Sequence, residues 1–240
     1  MRHIAALLPN SVWGNVLFVV ICMSWTYNVI NGVPCDDNNT AVLDTRDLWR
    51  IPNTIQCVDI RSLGNRSFIP DFPGIQSATT LHADHMRLVT VPDFVLIKLP
   101  NLQLLDLSGN RLRKIVKDIF LPYEKLDTLL INDNEILLPK TPFLNSKSIS
   151  TLVLSNNKIK KLKLNTFMQL PNLVKLYLDR NLLNQVNPNT FNTLKHLKYL
   201  HLGSNQFKAL PQIALVQSEA VLIFKGNPFN KINVNDTSRI

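Results

Sequence analysis

Apolar and polar residues alternate in a fixed order that recurs along the middle of the chain. In each copy, an eleven-residue segment carries apolar side chains at its first, fourth, sixth and eleventh positions and asparagine at its ninth. Five copies begin at Leu102, Leu126, Ile149, Leu173 and Leu197, so their starts lie 24, 23, 24 and 24 residues apart. An internal period of this length is typical of architectures in which one structural unit stacks on the next.

The alternation within each copy predicts a short β-strand. Leu176 and Leu178 would point to one side of such a strand, while Lys175, Tyr177 and Asp179 would point to the other. Because the pattern repeats at a fixed period, successive strands are expected to lie in parallel, about 4.8 Å apart. The aliphatic side chains then form a core, and the opposite face of the sheet stays open.

Two further periodic series are predicted to be structural. Asparagine follows each strand, where its carboxamide can both donate and accept hydrogen bonds to turn backbone groups. Stacked copies would form a ladder of Asn110, Asn134, Asn157, Asn181, Asn205 and Asn227. A second series predicts an aromatic column on the return side of the repeats: Phe94, Phe120, Phe143, Phe167 and Phe191.

The repeated order Leu-x-x-Leu-x-Leu-x-x-Asn-x-Leu resembles the extracellular, 24-residue form of the leucine-rich repeat family, over roughly residues 34–230. A weaker copy lies at Ala78–Leu88, with Met86 in place of asparagine, and a degraded copy lies at Leu222–Phe229. The resemblance implies an α/β-type solenoid, a curved horseshoe with a parallel β-sheet on its concave face and a mostly irregular or short-helical convex side. Small secreted members of this family are similar to invertebrate immune or adhesion proteins.

The chain is expected to divide into four parts. Residues 1–32 resemble a secretory signal peptide: an uncharged stretch contains the apolar run Val16–Met23, which is too short to span a bilayer, with cleavage expected within 24–32. The alternative is an uncleaved anchor at Val12–Val33. Residues 33–77 are interpreted as an N-terminal cap, 78–229 as about six to seven repeats, and 230–240 as a tail.

Cysteines and glycosylation motifs fit a secreted chain. Cys22 would leave with the signal peptide, so Cys35 and Cys57 remain as an even pair in an oxidising compartment, and a bridge between them is predicted. Similar caps in the family often carry four cysteines, whereas this one has two. Three Asn-X-Ser/Thr motifs are candidate glycosylation sites, at Asn38, Asn65 and Asn235.

The C-terminal end departs from the family pattern. Asn227-Pro228-Phe229 is followed by residues without cysteine, where family members commonly carry a cysteine-bonded cap. Three explanations stay open: the tail covers the end, the uncapped end forms a homodimer, or the sequence is part of a longer protein. After signal cleavage no further stretch approaches the length of a transmembrane span.

The chain carries a net charge of +9, which suits either solubility or binding to anionic surfaces and glycans. The basic residues are scattered, which favours solubility. Nucleic-acid binding is not expected, because neither a motif nor the predicted compartment supports it.

Candidate chemistry is sparse. With 7 glycines and none in a phosphate-loop pattern, and with no Gly-x-Ser-x-Gly or HExxH motif, the sequence predicts a non-enzymatic protein without cofactor. The cluster His82-Ala83-Asp84-His85, with Asp106 one repeat on, contains groups that bind divalent metals. The sequence assigns no metal there, because an ordinary polar concave surface on the first, weakest repeat is the favoured explanation.

The open face of the sheet is the better candidate for function. Solenoids bind partners through such a surface, and tyrosine and arginine dominate interface hot spots. The predicted partner-binding residues lie on neighbouring repeats: Lys175, Tyr177, Asp179, Arg180, Tyr199 and His201. Gly203 is expected to leave a gap beside them. Leu104, Leu130 and Val153 are expected to be exposed apolar residues on the same face, and such rows often mark contact surfaces.

These observations predict a secreted, non-enzymatic, extracellular protein that binds a protein or glycan through its concave face, in immune recognition or cell adhesion. The alternatives are a matrix protein that binds collagen or anionic glycan, a non-catalytic subunit of a secreted complex, and part of a receptor ectodomain.

Overall fold

The computed structural model describes the backbone of residues 40–42, and residues 54–61, 74–91, 96–216 and 219–229. Several features predicted from sequence lie outside these ranges: the signal peptide, Cys35, the three glycosylation motifs, Phe94 and the tail at 230–240. Among the described residues, none belongs to a helix with the length and apolarity needed to cross a membrane.

In the residues that the structure describes, nine short parallel strands form one sheet and follow one another in sequence order. Their bounds are β1 Thr40–Val42, β2 Cys57–Asp59, β3 Thr80–His82, β4 Leu104–Asp106, β5 Thr128–Leu130, β6 Thr151–Val153, β7 Lys175–Tyr177, β8 Tyr199–His201 and β9 Val221–Ile223. Each repeat therefore adds one rung to a solenoid, which confirms the predicted fold class.

The central residue of each strand from β2 to β9 faces the core. Pairing aligns Leu105 with Leu129, Leu129 with Leu152, and Leu152 with Leu176. From β3 to β8 these central leucines are fully buried. A slip of one residue would move a whole strand's aliphatic side chains to the opposite face, so the alternation in the sequence determines this register.

The sheet extends into the region interpreted as the cap. Strands β1 and β2 pair in parallel with each other, and β2 pairs with β3. Val58 and Ile60 are fully buried and belong to the same core as the repeats. Cys57 is 5% exposed and disulfide-bonded, while its pairing with Cys35 stays a prediction because Cys35 lies outside the described residues.

The asparagine ladder connects adjacent repeats. Asn110, for example, accepts hydrogen bonds at Oδ1 from the backbone N–H groups of Met86 and Leu88, at 3.0 and 2.9 Å. Its Nδ2 donates to the carbonyl groups of Ala83 and Leu107, at 2.8 and 2.9 Å. A single buried carboxamide thus satisfies backbone groups of two repeats, as the sequence predicted.

The residue before each ladder asparagine has left-handed backbone geometry, and so does His85 before Met86, which takes the asparagine position in the first repeat. The φ values lie between 50° and 83° at His85, Gly109, Asp133, Asn156, Arg180, Ser204 and Gly226. This conformation reverses the chain direction after the strand, and it disfavours side chains with a bulky Cβ substituent. The strands therefore end after three residues, and the chain passes to the convex side.

The convex side is poor in helix, and aromatic side chains fill it. Phe120, Phe143, Phe167 and Phe191 are at most 1% exposed, as expected for an aromatic column. The rings of Phe167 and Phe191 stack with centroids 6.2 Å apart and an interplanar angle of 13°. Turns at each level place these rings in register, because successive phenylalanines lie 23 or 24 residues apart.

Candidate functional site on the concave face

The concave face consists of the strand-region side chains that point away from the core, and it forms columns across the sheet. The first residues of β3 to β8 form one column, and the third residues form the next, from His82 to His201. Because neighbouring strands pair without offset, side chains of one column lie beside each other. Residues from distant parts of the sequence therefore meet on this face.

A small apolar cluster occupies the centre of the concave face. It consists of Leu130, Val153 and Tyr177, with Tyr199 packed against it, and it is separate from the main core. We call these four residues the apolar patch. Leu130, Val153 and Tyr177 are 5%, 2% and 7% exposed. The expectation that Leu130 and Val153 are exposed is wrong, because adjacent side chains of one column cover each other.

Three aromatic rings lie together at the C-terminal end of the apolar patch. The rings of Tyr177 and Tyr199 have centroids 4.9 Å apart, and His201 lies 6.4 Å from each. Burial, with smaller contributions from Tyr199 and Asp179, raises the pKa of Tyr177 to about 12. Burial and the nearby Asp179 also raise the pKa of Tyr199. Both phenols therefore remain neutral hydrogen-bonding groups at physiological pH.

Asp179 provides a buried negative charge beside these rings. It is 8% exposed, accepts a short hydrogen bond from the Ser155 hydroxyl and a 3.1 Å bond from Arg180 Nε. His201 Nδ1 lies 3.3 Å from its Oδ1. Burial alone raises the pKa of Asp179, but His201, Ser155 and Arg180 outweigh it, and the pKa lies below its usual value.

The structure brings most of the predicted partner-binding residues together. Tyr199 and His201 are half-buried, Lys175 and Arg180 are exposed, and Asp179 and Tyr177 lie beneath them. Tyr177 therefore packs beneath the surface and is less accessible to a partner than Tyr199. The expected gap at Gly203 is also absent: an added Cβ would lie 2.7 Å from the Lys225 carbonyl oxygen and 2.9 Å from the His201 ring.

Acidification is expected to remove a stabilising contribution of Asp179. Its folded-state pKa lies below the ordinary value of 3.8, so the contribution is complete above pH 3.8 and is lost as the pH falls below it. At neutral pH, Asp179→Asn should unfold more easily than the wild type, and this difference should shrink as the pH falls below 3.8. Urea unfolding from neutral to acidic pH measures it. A difference independent of pH would contradict the assignment.

A second polar cluster lies at the N-terminal end of the concave face. His82 Nδ1 is 3.8 Å from Asp84 Oδ1 and 3.7 Å from Asp106 Oδ2. Burial raises the pKa of Asp106, but His82 and Ser108 outweigh this and lower it overall. The cluster identified in the sequence therefore assembles, with one oxygen of Asp84 and one of Asp106 near the same imidazole nitrogen.

Sequence reasoning missed one ion pair beside this cluster. Arg61 Nη2 lies 2.5 Å from Asp59 Oδ2, and Arg61 also bonds Asp59 Oδ1 through its backbone N–H and Nε, at 2.9 and 3.0 Å. This holds the pKa of Asp59 below its usual value, although burial raises it. The sequence could have placed Asp59 on this face. Once Cys57–Asp59 is recognised as a strand, Asp59 aligns with His82 and Asp106 on the next two strands.

A sheet of single-strand repeats with a partly apolar open face defines a solenoid binding scaffold. The leucine rich repeat model matches residues 76–136, 137–183 and 171–222, more than half of the chain. The chain belongs to the leucine-rich repeat family.

Individual relatives are more distant. The chain is 32% identical over 118 residues to the leucine-rich repeat-containing G-protein coupled receptor 5 of Rattus norvegicus, covering 48% of this chain and 13% of the receptor. The structure of a TLR13–ssRNA13 complex is similar with a TM-score of 0.56, at 24% identity, over 65% of this chain and 26% of TLR13. A leucine-rich repeat protein of Leptospira interrogans has a TM-score of 0.49, at 22% identity, over 74% and 50% of the two chains. This chain thus spans half or less of each of these proteins.

Proposed function

We propose that this protein is a secreted, non-enzymatic leucine-rich repeat module that binds an extracellular protein through its concave face. The observation that carries the proposal is the apolar patch with its aromatic end. It is a second hydrophobic cluster on the side of the sheet opposite the core, next to charged groups. A solenoid does not need such a cluster in order to stack its repeats, and this one holds the half-buried ring of Tyr199 at the surface, where a partner can contact it.

The C-terminal half of the apolar patch is proposed as its contact region. Tyr199 is half-buried and flanked by exposed Lys175 and Arg180. A half-buried ring with a neutral phenol contributes apolar area and a hydrogen bond at once, which is common at interface hot spots. Asp179 beneath the rings fixes Arg180 in place through the 3.1 Å hydrogen bond.

The extracellular location is also proposed. It draws on sequence features alone: the signal-like segment at 1–32, the predicted Cys35–Cys57 bridge and the candidate glycosylation motifs at Asn38, Asn65 and Asn235. The similarity to a receptor named as G-protein coupled agrees with an extracellular repeat region, and a role in immune recognition or adhesion is proposed on the same basis. Homodimerisation through the C-terminal end remains a further hypothesis.

Tyr199→Ala is expected to weaken partner binding by more than about tenfold, as hot-spot tyrosines do. Affinity capture from cell-surface and secreted protein fractions, followed by titration of the captured protein, measures the loss. Tyr199 is the better variant because removing the 7% exposed Tyr177 would also destabilise the fold. Met168→Ala, at a side chain 48% exposed, is the matched control and should bind normally.

The salt dependence of the same capture separates protein binding from glycan binding. A partner held by the apolar patch is expected to remain bound at high salt, because burial of apolar surface is not screened. The alternative, an anionic glycan or matrix polymer bound by the scattered basic residues, would be released at high salt and would be insensitive to Tyr199→Ala. That combination would overturn the proposal.

A further inference from the structure

His82, Asp84 and Asp106 bring one imidazole and two carboxylates together at the N-terminal end of the concave face. One donor atom from each lies within 4.8 Å of the other two. The sheet determines this arrangement, since β3 and β4 pair His82 directly with Asp106. Asp84 follows His82 by two residues and so lies on the same face.

The Asp84 carboxylate has one oxygen that accepts no hydrogen bond from the described residues. Asp84 is 7% exposed, yet its Oδ1 makes no hydrogen bond to the part of the chain that the structure describes. Its other oxygen, Oδ2, lies 2.8 Å from His85 Nδ1. The His85 ring lies against Gly109, where an added Cβ would come within 2.6 Å of it. The contact with His85 orients the carboxylate so that the unpaired oxygen faces His82.

A buried carboxylate oxygen that accepts no hydrogen bond is costly, and a bound cation is one of the few ways to satisfy it. We propose that His82 Nδ1, Asp84 Oδ1 and Asp106 Oδ2 bind a divalent first-row transition-metal ion. Imidazole together with carboxylate suits Zn²⁺ and its neighbours, whereas Ca²⁺ prefers oxygen ligands alone.

The spacing of the three donor atoms fits such an ion after a small side-chain adjustment. Ligands at 2.0–2.2 Å from a tetrahedral Zn²⁺ lie about 3.4 Å from one another. The two distances from His82 Nδ1 are 3.8 and 3.7 Å. The side chains of His82 and Asp106 are 15% and 14% exposed, so the fourth ligand comes from water or from a bound partner.

Arg61 is the nearest competing charge. Its Nε lies 3.7 Å from Asp84 Oδ1, but Nε also donates to both oxygens of Asp59, at 3.0 and 3.1 Å. The guanidinium is therefore paired with Asp59. Its charge lowers the affinity of the site for a cation by repulsion, but it does not occupy a ligand position. Its side chain is 50% exposed, which allows it to move away.

The other end of the concave face supplies a natural control. His201 occupies the same column as His82 and lies 3.3 Å from a carboxylate oxygen of Asp179. That oxygen already accepts a hydrogen bond from Ser155, and the pair offers two donors instead of three. His201→Ala therefore removes an equivalent histidine from a place where no metal is proposed.

Calorimetric titration of Zn²⁺ into the chelator-treated full chain tests the site. We expect binding that His82→Ala and Asp106→Asn each weaken by more than about tenfold, since even outer-sphere changes cost ~10–100-fold. His201→Ala should bind as the wild type does, and Ca²⁺ should not compete. Circular dichroism of each variant checks that the fold is retained.

Three results would overturn the proposal: no Zn²⁺ binding by the wild type, an equal loss in His201→Ala, or displacement of Zn²⁺ by equimolar Ca²⁺. If a ligand variant unfolds, Arg61→Gln carries the test, because removing the nearby cation should tighten Zn²⁺ binding, and unchanged or weaker binding would contradict the site. The titration uses the metal alone, so its outcome is independent of the proposed partner binding.

Discussion

Replacing Phe167 with alanine is expected to lower the free energy of unfolding by about 3–5 kcal/mol, the usual cost of removing a buried aromatic ring. Phe167 is fully buried and stacks on Phe191 with ring centroids 6.2 Å apart. The convex side is helix-poor, so side-chain packing has to hold its segments together. A cavity at this level would therefore separate two repeats as well as expose apolar surface.

Urea denaturation monitored by circular dichroism measures the loss. Met168→Ala is the control, since Met168 is the next residue and its side chain is 48% exposed; it should change the unfolding free energy by less than about 0.5 kcal/mol. Phe167→Leu should cost less than the alanine variant because it refills part of the space. Equal stability of Phe167→Ala and Met168→Ala would mean that the aromatic column does not stabilise the repeats.

The Leu, Asn and Phe series could be predicted from the sequence because one physical requirement determines each of them. Alternation fixes the face of Leu176, and the turn that follows requires a side chain like that of Asn181. Both requirements recur in every repeat, so five copies in phase leave few alternative folds for the sequence. The same argument located the concave columns, because a strand residue next to a buried one must point outward.

The concave face was harder to predict because burial there depends on neighbours in other repeats. Leu130 and Val153 follow the outward register, yet they are 5% and 2% exposed since Tyr177 and each other cover them. Gly203 similarly has no gap beside it, because the backbone of the next repeat at Lys225 fills the space. A one-dimensional pattern gives the direction of a side chain but not the size of the side chains around it.

The N-terminal region shows the same limit. No repeat pattern marks residues before 78, so the sequence predicts a cap at 33–77 without assigning a strand to Cys57–Asp59, which the structure adds to the sheet as β2. The ion pair of Asp59 and Arg61 was missed for the same reason. Strand β2 also places Asp59 beside His82, which lies between two acidic residues of its own column, Asp59 and Asp106.

Stability in this fold is expected to depend on contacts between adjacent repeats. In stacked-repeat proteins, each unit contacts its neighbours alone, and the interface terms dominate. The ladder asparagines are such interface terms in this chain, because each carboxamide bonds backbone groups of its own repeat and of the one before. A ladder variant should therefore weaken the connection between two repeats more than it weakens either repeat alone.

Asn181→Ala is expected to destabilise the protein by about 1–3 kcal/mol, the cost of leaving a buried donor without an acceptor. Asn181 is 4% exposed, and its Oδ1 accepts from the backbone N–H of Ile159 at 3.1 Å. Its Nδ2 donates to the Leu154 and Leu178 carbonyl groups, which Asn157 and Asn205 also bond. The carbonyl groups thus keep a donor, whereas the Ile159 N–H loses its acceptor.

Urea denaturation of Asn181→Ala against the exposed control Asn184→Ala measures this difference, and amide hydrogen exchange locates it. The Ile159 amide should exchange faster in the variant. The Leu183 amide donates to Asn205 Oδ1 at 3.0 Å, so it should keep more of its protection. Asn181→Asp should cost more than alanine, because it places a carboxylate against the Leu154 and Leu178 carbonyl oxygens. If the alanine variant matched Asn184→Ala, or if exchange rose equally at Ile159 and Leu183, the ladder would not be the connection between repeats.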